Sequence, residues 1–128
     1  MDAVHVDATA VPAREVAEAR EAARRFLGTL WPGVGPNAAD TVILVVSELV
    51  ANALRHGGGT YALRLTAHPG TIEVAVDDPS PHTPYMRVAD LHHDTGGFGW
   101  HMVNDLSHAT VVTPTPEGGK TVRALLPR

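Results

Sequence analysis

Cysteine is absent from the chain, and basic residues are few. Without cysteine the protein has no disulfide and no thiolate ligand for a metal. The 10 lysine and arginine residues are outnumbered by 14 acidic residues, which gives a formal net charge of −4. A chain of this charge is a poor partner for a phosphate backbone, so the composition predicts no nucleic-acid binding.

The sequence also lacks a signal peptide and a long uninterrupted apolar run. No run reaches the length that spans a bilayer, and the first ten residues, MDAVHVDATA, have neither a basic start nor an apolar core. We therefore expect no membrane association and a cytoplasmic location.

What the chain does contain is typical of one small globular domain. Its 128 residues are 44% hydrophobic and 19% charged, which suits a single core. We expect a flexible N-terminus over residues 1–11 and one folded domain over residues 12–128.

Hydrophobic spacing predicts two helices at the start of this domain. Apolar residues recur at helical spacing over residues 11–31, where proline stands near the helix start. A second helix, capped by Asn37 or Asp40, continues to the glycines at 57–59.

The rest of the chain predicts strands around one further helix. Residues 60–67 and 71–78 read as a β-hairpin, residues 97–107 as a glycine-led helix, and two more strands follow. This order predicts an α+β two-layer sandwich, with three helices on one face of a mainly antiparallel four-stranded sheet. The long polar segment between the hairpin and the third helix is a candidate lid or binding loop.

The second helix carries a polar stripe that an apolar core helix does not need. Glu48, Asn52 and His56 recur at four-residue spacing, with Arg55 beside them, on the flank of the apolar face. A solvated surface would explain the charged residues. Asparagine is a mediocre helix former, so its position one turn after Glu48 favours a ligand-binding role. A carboxylate can polarise a hydroxyl group, and an amide oxygen can coordinate Mg²⁺.

Two further motifs contain candidate ligand contacts. Asp78 stands where a strand breaks into the turn DPSP, and its carboxylate could accept a hydrogen bond from an exocyclic amine. A turn-capping aspartate is the alternative. The segment TGGFGW (95–100) opens a helix, whose N–H groups could meet phosphate, and a flexible glycine loop is the alternative there.

Taken in order, SELVANALRHG, DDPSP, GGFGWHMV and GGKTVRALL resemble the motifs of the GHKL ATPase superfamily, which includes histidine kinases, gyrase B and Hsp90. More narrowly, the chain is similar to the anti-sigma-factor serine kinases of actinobacteria, which are small ATP-binding domains. The resemblance spans roughly residues 12–126. It implies the Bergerat fold of this superfamily, with ATP and Mg²⁺ as cofactors.

On the phosphate side, the resemblance implies four residues of the second helix. Glu48 matches the N-box glutamate, the general base for attack of a hydroxyl group on the γ-phosphate. Asn52 matches the asparagine that coordinates Mg²⁺. Arg55 and His56 match the helix end that lies near the phosphates.

On the adenine side, the resemblance implies that Asp78 is the G1-box aspartate that binds the adenine amine. We prefer Asp78 to Asp77 because it begins the D-x-S step. Ser80 stands where the wider superfamily has a G1 glycine. Thr121 matches a threonine that supports the hydrogen-bond network around adenine.

Gly97 and Gly99 match the G2-box glycines beneath a short ATP lid over residues 79–96. Phe98 stands between them where close relatives carry arginine, and Trp100 replaces a leucine. The missing arginine removes a charge-assisted phosphate contact. An ATP-binding regulatory module with weak or no kinase activity is therefore the alternative to an active kinase.

The function that the resemblance implies is that of an anti-sigma-factor serine/threonine kinase. Such a protein sequesters a sigma factor and phosphorylates a STAS-type antagonist, and relatives commonly form homodimers. We expect the sigma factor to bind the first helix, where Arg14, Arg20 and Arg24 could face an acidic partner. A solvated helix face explains these arginines nearly as well.

The eight histidines offer a competing interpretation as a metal site. His82, His92 and His93 share one predicted loop, but adjacent histidines point apart and no acidic residue is spaced to complete a zinc site. Solvated histidines are the better explanation.

Overall fold

The computed structural model describes the backbone of residues 3–8, 12–56, 58–82 and 102–128. Its helices and strands follow in chain order: β1 (Ala3–Ala8), α1 (Pro12–Gly28), α2 (Pro36–His56), β2 (Tyr61–His68), β3 (Thr71–Asp78), β4 (Ala109–Pro114) and β5 (Lys120–Pro127). Residues 102–106 are also helical, so the predicted third helix is seen over its second half. The start predicted for that helix lies outside the described residues.

The strands form one antiparallel sheet in the order β1-β2-β3-β5-β4, and α1 and α2 lie against it. The predicted α+β two-layer architecture is confirmed. The sheet has five strands where four were predicted, because residues 3–8 pair with β2 from Ala3↔Thr66 to Ala8↔Tyr61. The expectation of a flexible terminus missed the alternating sequence AVHVDA, whose period of two is that of a strand.

Helix α2 begins earlier than the predicted caps. The carbonyl oxygen of Gly35 accepts the N–H of Ala39 at 2.9 Å, which makes Pro36 the first helical residue. Proline suits this position because its missing N–H would have no helical partner there. Neither Asn37 nor Asp40 therefore caps the helix. At the other end, the N–H of Gly59 donates to the carbonyl oxygen of Ala53 at 3.3 Å.

The core lies between the helix layer and the sheet. Alternate residues of three central strands face the helices and are buried: Leu63, Leu65, Ile72, Val74, Val76, Val122, Ala124 and Leu126. Helix α2 contributes six buried residues: Val42, Val45, Val46, Leu49, Val50 and Ala53. With 21 residues and a mean hydropathy of 1.4, α2 meets the length and composition of a membrane-crossing helix, as an apolar core helix also does.

Candidate functional site

Three parts of the chain converge at one end of the core: the end of α2, the end of β3 and the start of β5. Pro79, directly after β3, lies so close to Gly58 that a Cβ on this glycine would stand 2.6 Å from the proline Cγ. A Cβ on Gly119 would collide with the carbonyl oxygen of Asp78. Gly58 also has φ of +100°, which side chains disfavour. Both glycines therefore let the turn after Asp78 pack between α2 and β5.

Asp78 is the buried carboxylate of this turn. Its Oδ1 accepts the backbone N–H of Ser80 at 2.9 Å and the Nζ of Lys120 at 2.9 Å. Burial raises the pKa of Asp78 above the ordinary aspartate value, while the bonds from Lys120 and Ser80 act in the opposite direction. Side chains alternate along β3, so Asp78 shares the helix-facing side of the sheet with Val74 and Val76.

Asp77 faces the other side of the sheet and is already engaged there. Its Oδ1 accepts Arg64 Nη2 at 2.6 Å and Thr121 Oγ1 at 2.5 Å. This arrangement favours Asp78 over Asp77 as the carboxylate that could meet a ligand between the layers. Thr121 contacts Asp77 and not Asp78, so its role in an adenine network stays a prediction.

The predicted polar stripe follows the border of the buried face of α2. Glu48 and Asn52 are half-buried, and Arg55 and His56 are exposed in the last turn. Glu48 has interactions within the fold. The Oδ1 of Asn52 is buried and has no hydrogen-bond partner among the residues that the structure describes. A buried oxygen left unsatisfied costs about 1–3 kcal/mol, so this atom fits a cation or donor that arrives with a ligand.

The histidine interpretation gains no support. In the parts of the chain that the structure describes, no group of three or more His, Asp or Glu side chains could hold a metal ion. His82 is exposed in that part, and His92 and His93 lie outside it. A Mg²⁺ ion bound through one amide oxygen, phosphates and water needs no such group.

Several predicted site residues fall outside the described residues. These are Gly97, Gly99, Phe98, Trp100 and most of the predicted lid. Ser80 is described, and it shapes the turn: its N–H bonds Asp78, and its Oγ accepts the N–H of His82 at 3.2 Å.

Sequence reasoning missed the closest partner of Asp78. Lys120 is the only lysine in the chain, and its side chain is 7% exposed. Nothing local to GGKT marks it as part of a site. Only the register of β3 with β5, in which Asp78 stands opposite Lys120, brings the two together. Gly58 and Gly119 were missed for the same reason, because their neighbours come from a distant turn.

The comparison with protein families identifies the family of the chain. A family model described as "Histidine kinase-like ATPase domain" matches residues 8–125 of the chain. The chain belongs to this family. A comparison with curated protein sequences gave no match.

A solved structure has the same fold as this histidine kinase-like ATPase domain. It is a crystal structure of the RsbU and RsbW domains of Rv1364c from Mycobacterium tuberculosis, with a TM-score of 0.70 and 17% sequence identity. The match covers 100% of the present chain and 33% of the other chain, so the domain spans about a third of that protein. At this identity the likeness shows the fold alone.

Proposed function

We propose that this domain binds ATP and Mg²⁺ between its helix layer and its sheet and acts as an anti-sigma-factor-type serine/threonine kinase. The observation that supports this most is a pair of oxygens available to a ligand, one from each layer. In the described part of the chain, Asn52 Oδ1 on α2 is buried without a partner, and on Asp78 both hydrogen bonds converge on Oδ1. Within the described residues no donor reaches Asp78 Oδ2.

Each of these oxygens suits one end of ATP. The Oδ2 of Asp78 would accept the exocyclic amine of adenine, on a turn held by Ser80. The amide oxygen of Asn52 would be a ligand of Mg²⁺, which when bound supplies positive charge between the phosphates. Arg55 and His56, exposed in the last turn of α2, would lie on the phosphate side.

Glu48 would serve the chemical step. Its carboxylate would take the proton of a serine hydroxyl on the antagonist protein. The hydroxyl oxygen would then form a bond to the γ-phosphorus while the bond to the bridging oxygen breaks and ADP leaves. Gly97 and Gly99, in the predicted lid, would let the backbone approach the phosphates.

Two substitutions on α2 test this division of roles. Asn52→Ala removes a magnesium ligand, so the affinity for ATP with Mg²⁺ should fall. Glu48→Gln keeps size and hydrogen bonding but cannot accept a proton, so ATP should still bind while transfer falls by roughly 10²–10⁴-fold. Calorimetry with ATP and MgCl₂ measures the first, and phosphate transfer to a STAS-type antagonist of the same organism measures the second.

The chain offers a matched control in Asn37→Ala, which removes an exposed asparagine from the same helix. It should leave ATP affinity unchanged. If Glu48→Gln lost binding as fully as Asn52→Ala, Glu48 would have a structural or metal-supporting role instead of a chemical one.

A second candidate function keeps ATP binding and omits transfer. Phe98 supports it, because it stands where close relatives carry a phosphate-binding arginine. A parent protein that binds ATP and transfers no phosphate to any STAS-type antagonist would establish this regulatory module.

A sigma factor would bind away from the ATP site. Helices α1 and α2 form an open groove lined by Arg20, Arg24, Ile43 and Leu44, among others, and the last of these is 39% exposed. This groove has an apolar floor and walls of both charges, since Glu21 and Asp40 line it together with the two arginines and Arg24 pairs with Glu21 at 3.6 Å. It suits an apolar segment flanked by charged residues. Charge reversal at Arg20 and Arg24 should weaken a sigma complex, and unchanged affinity would move the partner surface elsewhere.

Two further expectations accompany this proposal. Sequestration of a sigma factor implies a cytoplasmic location. Homodimerisation is expected by analogy with the resembled family, and sedimentation at equilibrium would decide it.

A further inference from the structure

The one lysine of this chain is buried, whereas most lysines of globular proteins are exposed. The residue Lys120 is 5% exposed, although ammonium groups are rarely buried because leaving water is costly. Its Nζ donates to Asp78 Oδ1 at 2.9 Å and to the carbonyl oxygen of Ser80 at 3.2 Å. The ammonium group is therefore fixed to both ends of the turn that carries Asp78.

This contact also fixes the orientation of the carboxylate. Lys120 from β5 and the N–H of Ser80 both donate to Oδ1. Because both donors converge on one oxygen, Oδ2 is the oxygen left without a donor among the described residues. An ionised carboxylate accepts hydrogen bonds and donates none, whereas a protonated one carries an O–H donor.

Several features of the fold act on the pKa of Asp78, and they act in opposite directions. Burial raises the pKa of Asp78, and the charge of Asp77 on the same strand acts in the same direction. The bonds from Lys120 and Ser80 lower it. Among the described residues, Lys120 and Asp77 are the charged groups that act on the pKa of this carboxyl, and Lys120 is the cation of the two.

We propose that Lys120 is a positioning residue that keeps Asp78 an acceptor-only group. As a result, the pocket selects a base that carries an amine over a base that carries a carbonyl at the same position. This inference rests on the proposed nucleotide binding. A purine amine donates to Oδ2, whereas a purine carbonyl would place a second acceptor against it. Sites built to hydrogen-bond one group discriminate strongly against analogues that lack it.

Inosine triphosphate is the sharpest probe, because its base carries a carbonyl where adenine carries the amine. The wild-type protein should bind ATP at least about tenfold more tightly than inosine triphosphate at neutral pH with Mg²⁺. Lys120→Met keeps the unbranched chain without the charge. In this variant the ratio of the two affinities should narrow at higher pH than in the wild type, because loss of the ammonium raises the pKa of Asp78 and a protonated Asp78 can donate to the carbonyl.

Arg123→Met is the matched control for this variant. It removes another cation from β5, but Arg123 contacts Thr113 and Glu73 on the opposite face of the sheet. Its ratio of the two affinities should equal that of the wild type. The alternative outcome is that Lys120→Met binds ATP more tightly with the same ratio of affinities for ATP and inosine triphosphate. That result would mean that the lysine competes with the nucleotide for the carboxylate, and it would overturn the proposal.

The absence of cysteine allows the charge to be restored chemically. Lys120→Cys, alkylated with 2-bromoethylamine while unfolded and then refolded, regains an ammonium at nearly the original reach. Alkylation of the same variant with iodoacetamide gives a neutral side chain. The first product should recover the preference for ATP and the second should not, whereas equal behaviour of both would assign lysine a packing role and overturn the proposal.

A measurement without nucleotide separates this inference from the proposed function. The carboxyl ¹³C resonance of Asp78, followed against pH, should titrate at higher pH in Lys120→Met than in the wild type. Equal midpoints would overturn the proposal even if both proteins bound ATP. If the wild type bound neither triphosphate, the proposed function and the base preference would both fail. The titration would then still decide whether Lys120 keeps Asp78 ionised.

Discussion

Asp77 and Asp78 have different partners because neighbouring side chains of a strand point to opposite faces of the sheet. Asp77 accepts hydrogen bonds from Arg64 and Thr121 on the face of the sheet away from the helices. Asp78 accepts one from Lys120 on the helix side. The sequence DDPSP alone does not separate these roles. The pairing of β3 with β5 does so, because it gives each carboxylate its own partner.

The roles separate in a pair of isosteric variants. Asp77→Asn should lower the free energy of unfolding by about 1 kcal/mol, because the ion pair with Arg64 is partly exposed, and leave ATP affinity unchanged. Asp78→Asn should weaken ATP binding by about tenfold or more, since the amide loses the charge that attracts the amine. Urea unfolding and calorimetry measure the two effects, and a loss of ATP binding in Asp77→Asn would reverse our assignment of the G1 aspartate.

A buried tyrosine gives the fold a dependence on alkaline pH. The Oη of Tyr61 donates to the carbonyl oxygen of Glu15 at 3.2 Å, across α1 and β2. Burial raises the pKa of Tyr61 to about 12, and the negative charges of Glu15 and Glu18 contribute. An unfolded tyrosine ionises near pH 10, so the native state holds the proton that the unfolded state loses.

The stability that Tyr61 contributes is therefore complete below pH 10 and disappears as the pH rises from 10 to about 12. The wild type should lose on the order of 2 kcal/mol more than Tyr61→Phe over this window. Urea midpoints at the two ends of the window measure the loss. The chain has two tyrosines, so the difference in phenolate absorbance between wild type and variant isolates Tyr61. A phenolate that forms at the ordinary pH would contradict the argument.

At the scale of elements, the site depends on how closely the turn after β3 approaches the end of α2. Gly58→Ala should destabilise the fold by about 2–4 kcal/mol. Alanine would be strained at the positive φ of this position, and its Cβ would clash with Pro79. Gly59→Ala has a similar φ of +86° but open space around its Cβ, so it should cost only about 1–2 kcal/mol.

The difference in stability between Gly58→Ala and Gly59→Ala measures the cost of the contact between a Cβ at position 58 and Pro79. Gly33→Ala, with open space and no positive φ, should change stability by less than about 0.5 kcal/mol. Thermal or urea unfolding of the three variants gives the comparison. Equal losses for Gly58→Ala and Gly59→Ala would show that Pro79 moves away freely.

At the scale of the whole molecule, the sequence predicted what depends on local periodicity. The two long helices, the β2–β3 hairpin and the two-layer architecture follow from the spacing of apolar residues. The start of α2 was misplaced because proline at the first helical position left polar Asn37 and Asp40 inside the helix. The edge strand β1 was missed because six residues of weak alternation are too short a signal.

The arrangement of the candidate site residues was predictable in part for the same physical reason. Glu48 and Asn52 share one helix, so their spacing is a local property that the sequence displays. The contact of Lys120 with Asp78 and that of Gly58 with Pro79 join residues distant in the chain, and only the folded sheet defines them. Motif resemblance proposed Asp78 and Thr121 by position and could not tell which residue each would contact.

The separation of Asp78 from Lys120, 42 positions along the chain, has a consequence for the order of folding. The β2–β3 hairpin can form early because its strands are neighbours, and it already contains Asp78. The carboxylate gains its cation only when β5 docks beside β3, which requires the chain between the two strands to close into a loop. If the domain binds nucleotide as proposed, the site is complete only once β5 has docked. Amide exchange at Asp78 and Lys120 should accordingly proceed through global opening and slow further when ATP is bound.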